Sequence, residues 1–296
     1  ENAFAYFHGH EVGGTNPSLL EALASTKLNL LLDVGFNREV GEDGAIYWKK
    51  DELARVIEEV EGFDQVAITD LDFKSSQRIL SAFTWEKIVS DYEEVFKGLR
   101  MKRILYLHAG AEMYGADKVL LELIKGLDSK EFEAHVILPN DGVLVEALRQ
   151  VGAKVSVLDY PILRRKYFNP KGIADYIRSY NFYAKQIALY AREHSIDMVH
   201  NNTAAVLEGI YLKRKLKLPL IWHVHEIIVK PKAISDFINM LMGRYADKIV
   251  TVSQAVANHI KQSPFIKDSQ VEVIYNGVDN AVYYPMDASS IREKFD

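Results

Sequence analysis

Residues 101–127, MKRILYLHAGAEMYGADKVLLELIKGL, decide how the rest of the chain is read. Arg103 to His108 is a short apolar run of strand length, Gly110 and Gly115 bracket a turn, and Ala116 to Leu127 carries helical spacing. The same alternation continues downstream. Strands are expected at Ala134 to Leu138, Lys154 to Leu158, Met198 to His200, Leu220 to His223, Lys248 to Val252 and Glu272 to Ile274. Helices are expected at Leu144 to Val151, Ile173 to Glu193, Ala204 to Lys215, Ser235 to Tyr245 and Ala255 to Lys261. Nearly all of the strands are apolar runs rather than alternating ones, so both faces are covered, which implies a doubly wound α/β fold with a parallel sheet.

Upstream of Met101 the pattern is looser. Phe4 to His8 reads as a strand end, and Asn16 and Pro17 open a helix after a Gly-Gly turn. Leu28 to Leu32 and Ala45 to Trp48 read as strands separated by a Gly/Asn-containing loop, VGFNREVGEDG. Asp51 is expected to cap a helix through Val60, and Ser75 to Phe83 and Thr84 to Leu99 read as two further helices. Asp70 and Asp72 invite a metal reading, but a turn ahead of a helix accounts for them more simply.

The composition narrows the possibilities. The 296 residues are 48% apolar and 26% charged, enough for one large domain or two ordinary ones. No cysteine is present, which excludes thiolate metal sites and cysteine nucleophiles. No basic-then-apolar leader is recognisable, and cytoplasmic residence is expected. The net charge of −5 is unevenly spread: residues 1–100 carry 10 Lys and Arg against 19 Asp and Glu, and residues 101–296 carry 26 against 22. The two parts are expected to be separate units with separate partners. Between Arg164 and Arg192 seven basic residues stand among seven Tyr or Phe with one acid, Asp175, and LKRKLKL follows at 212–218. Such a surface suits an anionic leaflet or a lipid diphosphate, or is simply a solvated helix face; no nucleic-acid motif accompanies it.

In a parallel sheet of this kind, ligands collect at the carboxyl ends of the strands. Three stretches fall there. HAGAEMYGADK lacks the G-x-G-x-x-G spacing and a Walker lysine, so it is either a ligand loop or a plain connector. In VHNNT, Asn202 or Thr203 either caps the next helix or faces a ligand beside Asn201. In IWHVHEII, His223 and His225 share one side of an extended segment beside Glu226; with His200 they admit a zinc reading, although hydrogen-bonding histidines explain them better.

At these residues the chain resembles the family 4 glycosyltransferases, retaining enzymes of the GT-B fold with two Rossmann-like domains. The features are MKRILYLHAG, YGADKVLLELIKGL in place of the usual Gly-Gly-Ala-Glu helix entry, VHNNT, HVHE, ADKIVTVSQAVANHI and the hinge-like VIYNGVDNAVYYP. The resemblance implies that residues 101–285 are the N-terminal, acceptor-side domain, that 286–296 begin the hinge into a second domain, and that 1–100 are the closing half of a donor-binding domain. HGHEVGGTNPSLLEALAST is similar to capsule-type rhamnosyltransferases of this family. Of the family's two glutamates seven residues apart, Glu21 matches the ribose-binding one, whereas the other falls on Gly13. Expected donor-binding residues are Glu21, Gly13, Gly14, Thr15, Asn16 and Gly115; His225 is the expected catalytic residue; Asn201, Asn202, Thr203 and Glu226 are expected at the acceptor cleft.

The implied activity is transfer of a sugar from a nucleotide-sugar to a lipid-linked bacterial surface polysaccharide, at an anionic membrane, with no cofactor, no metal and no nucleic acid. A nucleotide-sugar epimerase and an inactive sugar-nucleotide-binding fragment are the alternatives. A donor-domain end standing before an acceptor-side domain reads as the junction of two adjacent genes, or as a fused or permuted enzyme. The Arg and Lys that hold the donor diphosphate in this family belong to the half that is missing.

Overall fold

A computed structural model describes residues 4–11, 14–96, 102–225, 231–279 and 282–283. The chain divides into two compact units: residues 1–88 with 253–255 and 275–296, and residues 89–252 with 256–274.

The first unit holds β1 (Tyr6–His8), α1 (Pro17–Ser25), β2 (Asn29–Leu32), α2 (Gly35–Gly41), β3 (Ile46–Trp48), α3 (Leu53–Glu61), α4 (Gln65–Ala82) and the start of α5 (Trp85–Phe96). Its three strands are parallel in the order β1-β2-β3. β2 is buried at every position, as its apolar run dictates. The Asn16 side chain accepts from the Ser18 amide at 3.0 Å and so caps α1.

Three local expectations are corrected here. The segment around 33–44 is not an open loop but α2 with a short 3-10 turn, because Phe36 and Val40, four apart, bury against the core and override the loop-forming Gly and Asn. Asp70 and Asp72 lie in the middle of α4, not in a turn. Asp64 caps that helix through the Ala67 amide (2.8 Å), and Asp70 pairs with Lys74 one turn on (2.6 Å). Asp51 does not cap α3, whose N-cap position is Glu52.

The second unit holds β4 (Lys102–Leu107), α6 (Gly115–Gly126), β5 (Phe132–Leu138), α7 (Val143–Gln150), β6 (Lys154–Val157), α8 (Pro170–Glu193), β7 (Met198–Asn201), α9 (Glu208–Leu216), β8 (Leu220–Val224), α10 (Lys232–Tyr245), β9 (Lys248–Thr251), α11 (Gln254–Lys261) and β10 (Val271–Val273). All seven strands are parallel, in the order β6-β5-β4-β7-β8-β9-β10. This is the doubly wound, Rossmann-like arrangement. The chain starts in the middle at β4, builds outward to β6, then returns to β7 and builds the other way. The reversal leaves a crevice at the carboxyl ends of β4 and β7, where loops diverge to opposite faces.

Packing holds that crevice open. Leu105, Leu107, Val199, Trp222 and Ile249 are fully buried in one core with Ile187 and Ala191 of α8. Trp222 spends its indole N–H on the Thr203 carbonyl at 2.9 Å, fixing the loop after β7. That loop also corrects an expectation: the following helix begins at Glu208, not at residue 204, so neither Asn202 nor Thr203 caps it. The Asn201 amide donates to the Val206 carbonyl (2.9 Å), holding 202–207 out of helical geometry.

Candidate active site

The carboxyl ends of β4, β7 and β8 deliver His108, Asn202 and His223 to one buried cluster, and α5 adds Tyr92. Their hydrogen bonds run in one direction. The Tyr92 hydroxyl lies 3.0 Å from His223 Nε2, His223 Nδ1 lies 3.1 Å from Asn202 Oδ1, and Asn202 Nδ2 lies 3.0 Å from His108 Nδ1. His108 Nε2 then meets the Asp117 carboxylate at 2.5 Å. Asn202 can accept at one atom and donate at the other only if His223 carries its proton on Nδ1 and His108 on Nε2. The network orders both tautomers, and each bond polarises the next toward Asp117.

Asp117 links this network to the turn. Its second oxygen accepts the Tyr114 amide at 2.8 Å. Burial pushes the carboxyl up, but hydrogen bonds from His108 and from the Tyr114 and Met113 amides outweigh it and hold the group below its ordinary range. The turn itself is strained at Met113, whose φ of 72° is left-handed for a residue with a side chain.

His225 follows β8 directly. Its ring lies 3.9 Å from that of His223, centroid to centroid. Burial, together with nearby His108, depresses it to about 3, although a hydrogen bond to the Asn202 backbone partly opposes this. The ring is therefore neutral across the physiological range. Its contact with the Asn202 backbone leaves Nδ1 as the protonated nitrogen, while Nε2 is buried and has no partner among the described residues. An unspent lone pair on a neutral imidazole accepts from a hydroxyl and takes up a proton only at a high energetic cost. His200 sits behind this pair, fully buried, with its pKa lowered to about 3 by burial and by His225 and His108.

A cleft of about 250 Å³ opens at this end of the sheet. It is lined by His108, Ala109, Gly110, Glu112, Tyr114, Ala116, Asp117, residues 203–205 and His225. His225 and Thr203 face it, as does the α6 entry beside Gly115. Asn201 and Asn202 are fully buried beneath it and act through Val206, His108 and His223. Glu226 and Gly13 lie outside the described residues. No group of three or more His, Asp or Glu is placed to hold a metal among the described residues.

The first unit brings together Gly14, Thr15, Asn16 and Glu21. Thr15 is buried and its carbonyl accepts from Asn276 Nδ2 at 2.8 Å; Asn16 is occupied as the α1 cap; Glu21, one turn into α1, takes the Tyr283 hydroxyl. His8, at the end of β1, is buried against His10 and lowered to about 4, chiefly by burial.

A model of glycosyltransferase family 4 matches residues 113–282, more than half of the chain. The chain belongs to glycosyltransferase family 4. Solved structures resemble it more distantly. HepE of Anabaena, determined with UDP-glucose, is 23% identical, with 66% of this chain and 50% of HepE covered at a TM-score of 0.48. A glycosyltransferase from Rickettsia africae ESF-5 is 22% identical, with 61% and 44% covered and a TM-score of 0.47. MurG of Acinetobacter baumannii is 16% identical, with 51% and 41% covered and a TM-score of 0.36. The family 4 chain thus spans half or less of the length of these structures. No curated protein matches it.

Sequence reasoning singled out His225 but passed over His108, Asp117 and Tyr92. A signal for two of them was present, since His108 ends the first strand and Asp117 stands where the usual Gly-Gly-Ala-Glu entry has its acid. Tyr92 gave none, because its role depends on α5 packing with the seven-stranded unit from Val89 onward.

Proposed function

We propose that this family 4 chain takes part in moving a sugar from a nucleotide-sugar to a saccharide acceptor, with the cleft at His225 as the place of transfer. The observation that carries this reading is the neutral His225 ring, whose unpartnered Nε2 stands at a topological switch point beside a helix N-terminus. The lone pair accepts from a hydroxyl of the reacting sugar and so orients it. Taken by itself, the first unit is assigned a nucleotide contact of its own, with Glu21 at ribose hydroxyls and Gly14, Thr15 and Asn16 at the adjoining turn.

The acceptor is assigned to a lipid-linked chain of a bacterial surface polysaccharide, and the protein to the cytoplasmic face of a membrane. Supporting this, α8 carries Lys171, Arg178, Lys185 and Arg192 at seven-residue spacing, all exposed, with exposed Phe182 and Leu189 on the same face. Among the described residues no helix is long and apolar enough to cross a membrane. Co-sedimentation with anionic vesicles, compared with neutral ones, tests this contact. The order of the two units is read as a junction between pieces of two glycosyltransferases, which the native transcript decides.

The reading is tested by incubating the chain with labelled UDP-, GDP- and dTDP-sugars and saccharide acceptors. Label reaching the acceptor is expected, with at least a 100-fold loss in His225→Ala at unchanged melting temperature. Label recovered only as an isomerised nucleotide-sugar would instead indicate an epimerase.

A further inference from the structure

The rim of the cleft carries a feature that sugar transfer as such does not require. Tyr114 lines the cleft and is 75% exposed, at the position where the family's usual helix entry has a glycine. Standing exposed on the wall of a cleft, an amphipathic aromatic ring offers a flat apolar face to a ligand. Its backbone is firmly placed, with the amide held by Asp117, Asp117 held by His108, and Met113 fixed at φ 72° just before it. Beside it, Glu112 folds its carboxylate over Gly110. One oxygen accepts the Ala111 amide at 2.9 Å, and the other has no protein partner among the described residues.

The charge of the lining is equally informative. Among the described residues two carboxylates, Glu112 and Asp117, line the cleft and no lysine or arginine does, although Arg164 reaches the carbonyl of the lining residue Ala109 at 3.5 Å. Asp117 is spent on His108 and two amides, which leaves Glu112 as the open acceptor. A hydroxyl donates well to such a group, whereas a second anion beside it is repelled. A pyranose ring has the matching form: one face of polarised C–H bonds that rests on an aromatic ring, and equatorial hydroxyls around its edge.

Resting on the family 4 reading above, we infer that Tyr114 and Glu112 form a subsite for the terminal ring of an uncharged saccharide acceptor. Tyr114 supplies the stacking face, the free oxygen of Glu112 takes a ring hydroxyl, and His225 and Thr203 lie across the same cleft. The subsite selects a neutral sugar ring over an acidic one.

Saturation-transfer NMR on the full chain tests this, with methyl glucoside, galactoside, mannoside and rhamnoside as probes, methyl glucuronoside as the acidic comparator, and UDP-glucose measured separately. At least one neutral glycoside is expected to receive saturation, strongest at the C–H protons of one ring face, and to bind at least fivefold tighter than the glucuronoside. Tyr114→Gly is expected to weaken it at least fivefold and Tyr114→Phe by less than twofold. Glu112→Gln is expected to bring the neutral and acidic probes within twofold of each other. Equal binding by wild type and Tyr114→Gly, an unchanged neutral-to-acidic ratio in Glu112→Gln, or no saturation of any neutral glycoside overturns the inference. UDP-glucose bound without any glycoside would overturn the subsite alone, and glycosides bound without any nucleotide-sugar would count against the transfer reading instead.

Discussion

The two ends of the seven-stranded sheet carry the same residue types to opposite effect. At the amino ends, Arg103, Glu133, Lys154 and His194 surround an open hollow of about 430 Å³. Arg103 pairs with Asp197 at 3.6 Å, and Glu133 bridges Lys154 and His135 at 2.7 and 2.6 Å, with most of these side chains partly in water. At the carboxyl ends, His108, Asn202, His223 and Tyr92 are almost fully buried and hydrogen-bonded in series. Water screens the first set, so its pairs close loops and contribute little. Burial enforces the second set, so losing one member leaves its neighbours unpaired. A histidine at the carboxyl end is thereby kept neutral and aimed, which is what a ligand site needs.

Lowering the pH separates the ends most strongly. His200 and His225 are depressed to about 3, and His223 well below the ordinary value, in each case first by burial. The unfolded chain binds these protons near pH 6.5 and the folded chain does not, so stability is complete above about 6.5 and falls as pH drops toward 3, by up to about 1.4 kcal/mol per pH unit per histidine. Thermal melts from pH 8 to pH 4 are expected to show a steep loss below pH 6. A flat profile would mean that the cluster is hydrated and resembles the other end.

Next in size is Asn202→Leu, which removes the partners of both His108 and His223. Urea unfolding is expected to show a loss of about 3–4 kcal/mol, against about 1 kcal/mol or less for Glu133→Gln at the amino ends. Equal losses would erase the contrast.

A buried acid gives a smaller effect of opposite sign. Glu208 is fully buried at the start of α9, and burial raises its carboxyl to about 8 despite bonds to its own and the Leu207 amide. The fold keeps its proton and the unfolded chain releases it above about 4.5, so this contribution is complete below 4.5 and is lost as pH rises through 8. Glu208→Gln is expected to stabilise the protein at pH 9 and to leave it unchanged at pH 4. The smallest effect is expected from Asp197→Asn at the amino ends, within about 1 kcal/mol and shrinking further in 0.5 M salt.

Much of the seven-stranded unit was legible in its sequence. Most of the strands are apolar runs between helical stretches, and periodicity and length located all seven to within two residues at either end. The region before Met101 was harder to read. At 33–44, long-range burial of Phe36 and Val40 made a helix out of loop-forming residues, and the 65–82 helix runs through two aspartates that local rules place in turns. At the site, His225 was visible from a short motif, but the network beneath it was not. Tyr92 and Asp117 are separated from His223 by more than a hundred residues, and only the sheet order together with the packing of α5 and α6 brings them together.

The central claim is that burial and the Asn202 contact keep His225 neutral, protonated on Nδ1 and unpartnered at Nε2. Nitrogen-15 NMR of the histidine-labelled chain between pH 8 and pH 4 measures this directly. His225 is expected to keep the shifts of the neutral Nδ1–H tautomer throughout, and to move only when a ligand hydroxyl reaches Nε2. A His225 that titrates near pH 6.5, or carries its proton on Nε2, would contradict it.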